Sequence, residues 1–361
     1  MKILLINNFH YIKGGSEAVY FNMAQMFTQA GHEVVFFSCT SDRNLEYGAN
    51  DHFVAPNSEV NPVVGAFRYI YNGSAARALD RLLTKNKVDI AHIHLFWGGL
   101  SSSILGVLKK HNIPVVHTAH DYRMVCPAYT FRRGDGTVCE KCLGGNYIHC
   151  LTHRCSKGKF AHSALMTFEA FFRKWFIRPI DAIDGFVFVS QFSYEQHLKA
   201  MPALKDKHCI VAHNAIAPPS QDEISTAMGS YYLYFGRLSH EKGLETLINA
   251  FSNLPHLKLK IVGEGDMEQK LRAMVTTNNI EFCGYQSGST LRQTIKNCKA
   301  IVVPSEWYEN NPMTIIEAQS AGISTIGARI GGIPEIVEPN KTGYLFTPKS
   351  VEELILAIQT M

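Results

Sequence analysis

Apolar residues along this chain come in short unbroken runs rather than in strict alternation. Such runs occupy residues 2–7, 33–38, 90–94, 114–118, 185–190 and 209–212, and recur near 231–235, 259–265, 280–285, 300–304 and 343–346. Runs this short and this continuous suit strands buried on both faces of a parallel sheet. Segments of helical periodicity lie between them, so the chain alternates strand and helix and predicts doubly wound α/β architecture. A proline- and polar-rich stretch over residues 213–229 marks a linker. It divides the sequence into domains 1–216 and 217–361, as 361 residues exceed what one core organises.

Composition changes this picture little. Apolar residues make up 46% and charged residues 18%, with a net charge of +4, which describes a mildly basic globular protein. That balance is compatible with an anionic ligand or membrane surface and gives no ground for nucleic acid as a partner. The opening MKILLINNF lacks the charged region and cleavage site of a signal peptide, and no run of about 18 apolar residues follows. The expected location is therefore the cytoplasm, where the nine cysteines would stay reduced.

Chemistry concentrates in residues 305–322, SEWYENNPMTIIEAQSAG. A strand at 300–304 precedes it and a helix follows, with Asn311 suited to cap, Pro312 to the first position and Gly322 to the end. The backbone amides of Asn311, Met313 and Thr314 would then face whatever occupies the helix mouth, and phosphate is the usual occupant. Glu317, a turn and a half inside, can reach a hydroxyl attached to that phosphate, and Glu309 stands in the preceding loop. Upstream, Arg237 and Lys242 flank a glycine turn after the strand at 231–235, two cations that fit a diphosphate. In the first half, Gly14, Gly15 and Ser16 follow the first strand as a loop that lets a phosphate approach the backbone. His120 and Asp121 stand past the strand IPVVHT, at the sheet edge where open α/β folds bind ligands. His92, His94 and His117 read as packing or acceptor-side residues, and Tyr285 as either a packed aromatic or a base-stacking one.

Glu309, seven intervening residues, Glu317, Ala318 and Gly322, followed by GGIPEIV at residues 331–337, resemble the signature of retaining glycosyltransferases of family 4. The resemblance implies the GT-B fold, two Rossmann-like domains facing each other across a cleft, with acceptors bound by the first and a nucleotide sugar by the second. It implies that Glu309 contacts the transferred sugar, Glu317 the donor ribose, and Arg237 and Lys242 the diphosphate. It further implies that the Gly14–Gly15 loop closes over donor phosphate and acceptor, and that His120 bonds the donor sugar. The implied reaction is hexosyl transfer from a UDP- or GDP-linked sugar to a glycan or lipid-linked acceptor, in surface polysaccharide synthesis, without a catalytic cofactor. Consistent with metal independence, no D-x-D triplet occurs. Family members also continue past the final helix pattern at 351–360 with a helix that crosses back to the first domain. Two other readings are a nucleotide-sugar-binding protein without chemistry and a sugar-nucleotide 2-epimerase.

Two segments of the first half stand apart from the strand–helix alternation. Residues 126–155 form an insertion carrying Cys126, Cys139, Cys142, Cys150 and Cys155, from which four could bind a structural zinc; reduced, unligated thiols and an iron–sulfur or redox centre are the alternatives. Residues 165–183 combine Phe168, Phe171, Phe172, Trp175 and Phe176 with Arg173, Lys174 and Arg178. This is either an amphipathic helix packed on the sheet or one that lies on the inner face of an anionic membrane.

Overall fold

A computed structural model of the chain describes residues 1–47, 52–226 and 229–361. Ala227 and Met228, within the expected linker, lie outside the described residues. The chain separates into two compact units, Met1–His213 and Asn214–Met361.

In the first unit, β1 (Lys2–Ile6), β2 (Glu33–Phe37), β3 (Ile90–Ile93), β4 (Val115–Ala119), β5 (Gly185–Phe188) and β6 (His208–Val211) form one sheet in the order β2-β1-β3-β4-β5-β6. In the second, β7 (Tyr232–Phe235), β8 (Leu259–Val262), β9 (Ile280–Phe282), β10 (Ala300–Val303), β11 (Ser324–Ala328) and β12 (Gly343–Phe346) run β12-β11-β10-β7-β8-β9. Every pairing is parallel. All eleven apolar runs begin within one residue of a strand. The strand without such a run is β11, whose sequence STIGA carries too little apolar character to signal a strand, yet Ile326 and Ala328 are wholly buried.

The central strands of each sheet are covered on both faces, which is why they carry no polar alternation, while the edge strand β6 leaves Ile210 and Val211 exposed. Around β7, Tyr232 and Tyr234 pack with Leu247, Phe251 and Leu271 on one side, while Leu233 and Phe235 pack with Ile315, Ala318 and Ile333 on the other. The strand order reverses where β1 meets β3 and where β7 meets β10. At such a point the helices depart to opposite faces and leave a crevice at the strands' carboxyl ends. The loops after β7 and β10 thus become neighbours although about 65 residues separate them in the chain.

The aromatic segment departs from the expectation of one helix packed through its apolar face. A helix at Phe160–Phe172 runs into a wide π-turn at Arg173–Ile177, and Arg178, at φ 50°, redirects the chain into a short helix at Pro179–Ala182. The helix buries Ser163, Thr167, Glu169 and Ala170, while Phe160, Phe168, Trp175 and Phe176 are exposed. An ion pair holds this inverted arrangement: Arg173 Nε donates to Glu169 Oε1 at 2.9 Å, with both side chains no more than 5% exposed. The same guanidinium donates to the Met124 carbonyl at 3.3 Å and lies 4.7 Å from the centre of the Trp97 ring. Removing one partner of such a pair strands the other charge in the interior. Glu169→Ala is therefore expected to lower the unfolding free energy by about 3 kcal/mol in denaturant titration, whereas Lys174→Ala, on the exposed side of the same turn, should change it by less than about 0.5 kcal/mol.

Candidate functional site

The adjacency of β7 and β10 brings Lys242 to Glu309. Lys242 ends a short turn, and Gly243 follows at φ 67°, where an added Cβ would stand 1.9 Å from the Pro304 carbonyl oxygen at the end of β10. Only glycine permits that approach. Lys242 Nζ donates to Glu309 Oε1 at 2.7 Å, and Ser305 Oγ donates to the same oxygen at 2.6 Å. Burial alone would raise the Glu309 carboxyl, but the Lys242 charge and the hydrogen bonds from Lys242 and Ser305 hold it below its ordinary value. Glu309 is thus a buried, ionised group whose cation stands beside it.

The backbone of Glu309 is fixed from the far side. Gly331, at φ 61°, lies so close that a Cβ would be 2.2 Å from the Glu309 carbonyl oxygen, and the Gly332 amide donates to that oxygen at 2.8 Å. The glycine pair of the GGIPEIV segment therefore shapes the loop that carries the carboxylate. Arg237 behaves differently: its guanidinium is mostly in solvent and its nearest carboxylate, Glu241, is 3.8 Å away. It is a mobile-headed cation beside a fixed one.

The helix of the central stretch spans Met313–Ser320, with Pro312 as its cap residue and no side-chain cap. This corrects the expectation that Asn311 caps it. The Asn311 carboxamide oxygen instead accepts from the Asn214 amide at 2.8 Å, and the Asn214 side chain donates to the Asn311 carbonyl at 3.0 Å. The carboxamide ties down the first residue of the second unit, leaving the amides of Met313 and Thr314 at a helix mouth that no side chain closes. Glu317 stands on the first turns of this helix, and burial pushes its carboxyl up to about 7. A fixed ammonium, an uncapped helix terminus and a carboxyl poised near neutrality together suit a phosphorylated ligand that carries hydroxyls.

In the first unit the helix starts at Gly15, so Gly15 and Ser16 form its first turn and Gly14 its cap in extended backbone. Glu17, buried in the same turn, accepts from Ser16 Oγ at 3.2 Å, and burial raises its carboxyl. Asn7 and Asn8, at the end of β1, stitch this edge to the loop after β3: Leu95 N donates to Asn7 Oδ1 at 2.9 Å and Asn8 Nδ2 to the Trp97 carbonyl at 2.8 Å. His120 follows β4, and its Nε2 lies 2.8 Å from His94 Nδ1 with the rings stacked at 5.1 Å. His92 stacks on His94 at 4.7 Å and meets Thr118 Oγ1 at 2.7 Å. Burial lowers His120 to about 3, and burial with its histidine neighbours holds His94 far below its ordinary value. Both rings are neutral at physiological pH, so one ring donates to the other, and the tautomer decides whether His120 Nδ1 is left as an outward donor or acceptor. Sequence reasoning gave His94 no role. The signal was present in the alternation His92-Ile93-His94, which puts both imidazoles on the face that Thr118 and His120 share.

Of the readings of the cysteine cluster, the described residues support free thiols rather than a metal centre. Cys126, Cys142, Cys150 and Cys155 are close enough to influence one another's ionisation, and the Cys155 thiol is hydrogen-bonded with Cys150. Burial pushes Cys126 up to about 11 and raises Cys142, while the hydrogen bond with Cys155 lowers Cys150. Cys139 is engaged by Arg133. All nine cysteines are free, and among the described residues no group of three or more His, Cys, Asp or Glu is arranged to hold a metal ion. Tyr285, 69% exposed, is not a packed aromatic.

Comparison with known proteins places these features. Residues 13–218 match the family described as Glycosyltransferase Family 4, and residues 220–361 match Glycosyl transferases group 1. The sulfoquinovosyl transferase SQD2 of Arabidopsis thaliana is 33% identical over 36% of this chain, which spans only 26% of that protein. An uncharacterized 42.6 kDa protein in the cps region of Klebsiella pneumoniae is 22% identical over 93% of this chain and 87% of its own length. Among solved structures, the lipopolysaccharide outer core galactosyltransferase WaaB in its apo form superposes with a TM-score of 0.62 at 19% identity, covering 99% of this chain and 89% of that one. Anabaena Alr3699/HepE in complex with UDP and glucose gives 0.65 at 18% identity, over 100% and 89%. The two six-stranded parallel sheets are those of the GT-B fold.

Two outcomes follow from the geometry. Gly331→Ala forces a methyl group against the Glu309 carbonyl in a left-handed conformation, and should lower the stability of the C-terminal unit by on the order of 3 kcal/mol in chemical denaturation. For Glu317, the folded chain keeps its proton up to about pH 7 and the unfolded chain loses it near 4.5, so stability falls as pH rises through that window. Glu317→Gln should therefore flatten the decline between those pH values by on the order of 2 kcal/mol, measured as thermal and denaturant midpoints across the range.

Proposed function

The chain belongs to glycosyltransferase family 4, and from that membership we propose a retaining, metal-independent hexosyltransferase that uses a nucleotide-diphosphate sugar. The observation that carries this reading is the Lys242–Glu309 pair at 2.7 Å, set beside an uncapped helix terminus. Departure of a nucleoside diphosphate develops negative charge on the leaving phosphate. Lys242 and the amides of Met313 and Thr314 oppose that charge with donors already in place, and Arg237 is drawn in from solvent to join them. Glu309 faces the sugar and supports the cationic character that grows at its anomeric carbon. Glu317 accepts the ribose hydroxyls, and His120, held by His94, donates to or accepts from the sugar. The acceptor hydroxyl attacks from the side the diphosphate leaves, and the departing phosphate oxygen takes its proton, so configuration is retained.

The Anabaena neighbour's complex with UDP and glucose supports a uridine nucleotide over a guanosine one. The cps-region relative and the lipopolysaccharide galactosyltransferase support an acceptor that is a growing surface glycan, carried on a lipid. Gly14 and Gly15 serve the first unit's side of donor and acceptor binding. The C-terminal unit holds the donor, and the N-terminal unit, with its cysteine-bearing insertion, selects the acceptor.

Alanine at either member of the pair would leave a buried charge without its partner, so the isosteric change is the cleaner test. Glu309→Gln keeps the shape and a hydrogen-bonding oxygen but not the charge. It should lower kcat by about 10²-fold or more, with the thermal midpoint moved only a few degrees. Release of nucleoside diphosphate from candidate UDP- and GDP-sugars, with and without a lipid-linked glycan acceptor, gives the readout. Near-normal turnover in the folded variant would overturn the assignment, and nucleotide-sugar binding without any acceptor-dependent release would indicate a binding protein instead.

A further inference from the structure

The inverted helix of the N-terminal unit exposes what a helix normally hides. Phe160 at the helix start is 59% exposed, and Phe168 and Phe176 stand 59% and 71% exposed with Phe172 four residues from each, so Phe168, Phe172 and Phe176 share one face. Trp175, 63% exposed, flanks it on the π-turn and stacks on Phe171 at 4.9 Å. A second stripe runs along the helix Pro62–Ile70, where Val63, Phe67 and the following Tyr71 recur every four residues at 64%, 69% and 47% exposure. The two stripes join: the Tyr71 and Phe172 rings meet edge to face at 6.4 Å, and Phe172 touches Phe176 at 5.2 Å. A contiguous apolar face built from two elements is more than the scattered exposure that every soluble protein shows, and such faces mark interaction surfaces.

Charge identifies the partner. Residues 143–178 carry six lysines and arginines and one acid. That acid, Glu169, is buried and paired with Arg173, so it offers nothing to the outside. Lys157, Lys159, Lys174 and Arg178 are exposed around the aromatic stripe, with Asp181 paired to Arg178 as the nearest opposing charge. Residues 61–79 add Arg68 and Arg77 and no acid. Aromatic side chains surrounded by cations match the interfacial zone of a bilayer, where rings sit at headgroup depth and lysine and arginine meet lipid phosphates. Protein interfaces share the aromatics but are depleted in lysine, whereas Lys157, Lys159 and Lys174 are exposed here.

We propose that this two-helix face of the N-terminal unit docks the protein on an anionic lipid surface. The buried Arg173–Glu169 pair acts in that docking as the clamp that keeps the aromatic residues outside. The inference goes beyond the proposed reaction and does not require it, because binding can be measured without turnover.

The full chain is sedimented with vesicles of phosphatidylcholine alone or with roughly one third phosphatidylglycerol at low salt. The expected result is partition onto the anionic vesicles, weakened by salt, with roughly tenfold less binding for the Trp175→Ser, Phe176→Ser double variant and for Phe67→Ser. Circular dichroism and the thermal midpoint confirm folding, which these exposed positions should leave unchanged. Trp175 also reports directly: its emission should shift to the blue on anionic vesicles, and Trp175→Phe should abolish the shift while preserving most of the binding. A Glu309→Gln chain should bind vesicles as the parent does, so loss of transfer and loss of docking remain separate results. No partition of the folded parent onto either vesicle overturns the proposal. So does a concentration-dependent dimer in solution that the same serine variants dissolve, which would make the face a contact between two copies.

Discussion

A carboxylate taken out of water needs a positive charge within reach, and the C-terminal unit is arranged around meeting that need. Glu309 is 6% exposed, and Lys242 is the cation that compensates it. The pair requires the loops after β7 and β10 to be neighbours, which the strand reversal supplies. It also requires both loops to approach backbone at less than side-chain distance, which Gly243 and Gly331 allow. The cation is thereby held in place before any ligand arrives, and a phosphate group entering beside it meets a charge that needs no reorganisation. Arg237, with its head in solvent, is the complementary case, a charge that must be gathered in.

The N-terminal unit solves a different problem, positioning a neutral ring at a sheet edge. Four histidines lie on or just past β3 and β4, and desolvation keeps them uncharged. A charged imidazole there would repel its neighbours, so the stack is stable only as neutral rings that share protons. His94 therefore fixes the orientation of the His120 ring in the way a carboxylate orients histidine in other sites, but without adding a negative charge at this sheet edge.

Much of this was legible in the sequence, for physical reasons. A strand buried on both faces must be apolar throughout, so eleven of the twelve strands announced themselves; β11 did not, because Ser324, Thr325 and Gly327 are tolerated where Ile326 and Ala328 do the packing. The family signature named Glu309, Glu317, Arg237 and Lys242, but not that Lys242 and Glu309 touch, since their contact depends on the order of strands in the sheet. Asn311 has the chemistry of a helix cap, yet a partner 97 residues earlier, Asn214, takes its carboxamide. For the aromatic segment the sequence left two readings open. Composition reports that a helix has an apolar face but not which way it turns, and here one buried ion pair decides the direction.

The close backbone approaches at Gly243 and Gly331 bear on how genetics would see this protein. A screen of random substitutions for lost activity would return these glycines beside Glu309 and Lys242, with equal penetrance. Neither has a side chain to offer a ligand. A hit there reports that two loops no longer fit together, and a map of intolerant positions would outline the scaffold of the site as sharply as its chemistry. Separating the two takes a measurement of folding for each variant, since truncating either member of the buried pair costs stability as a strained glycine does.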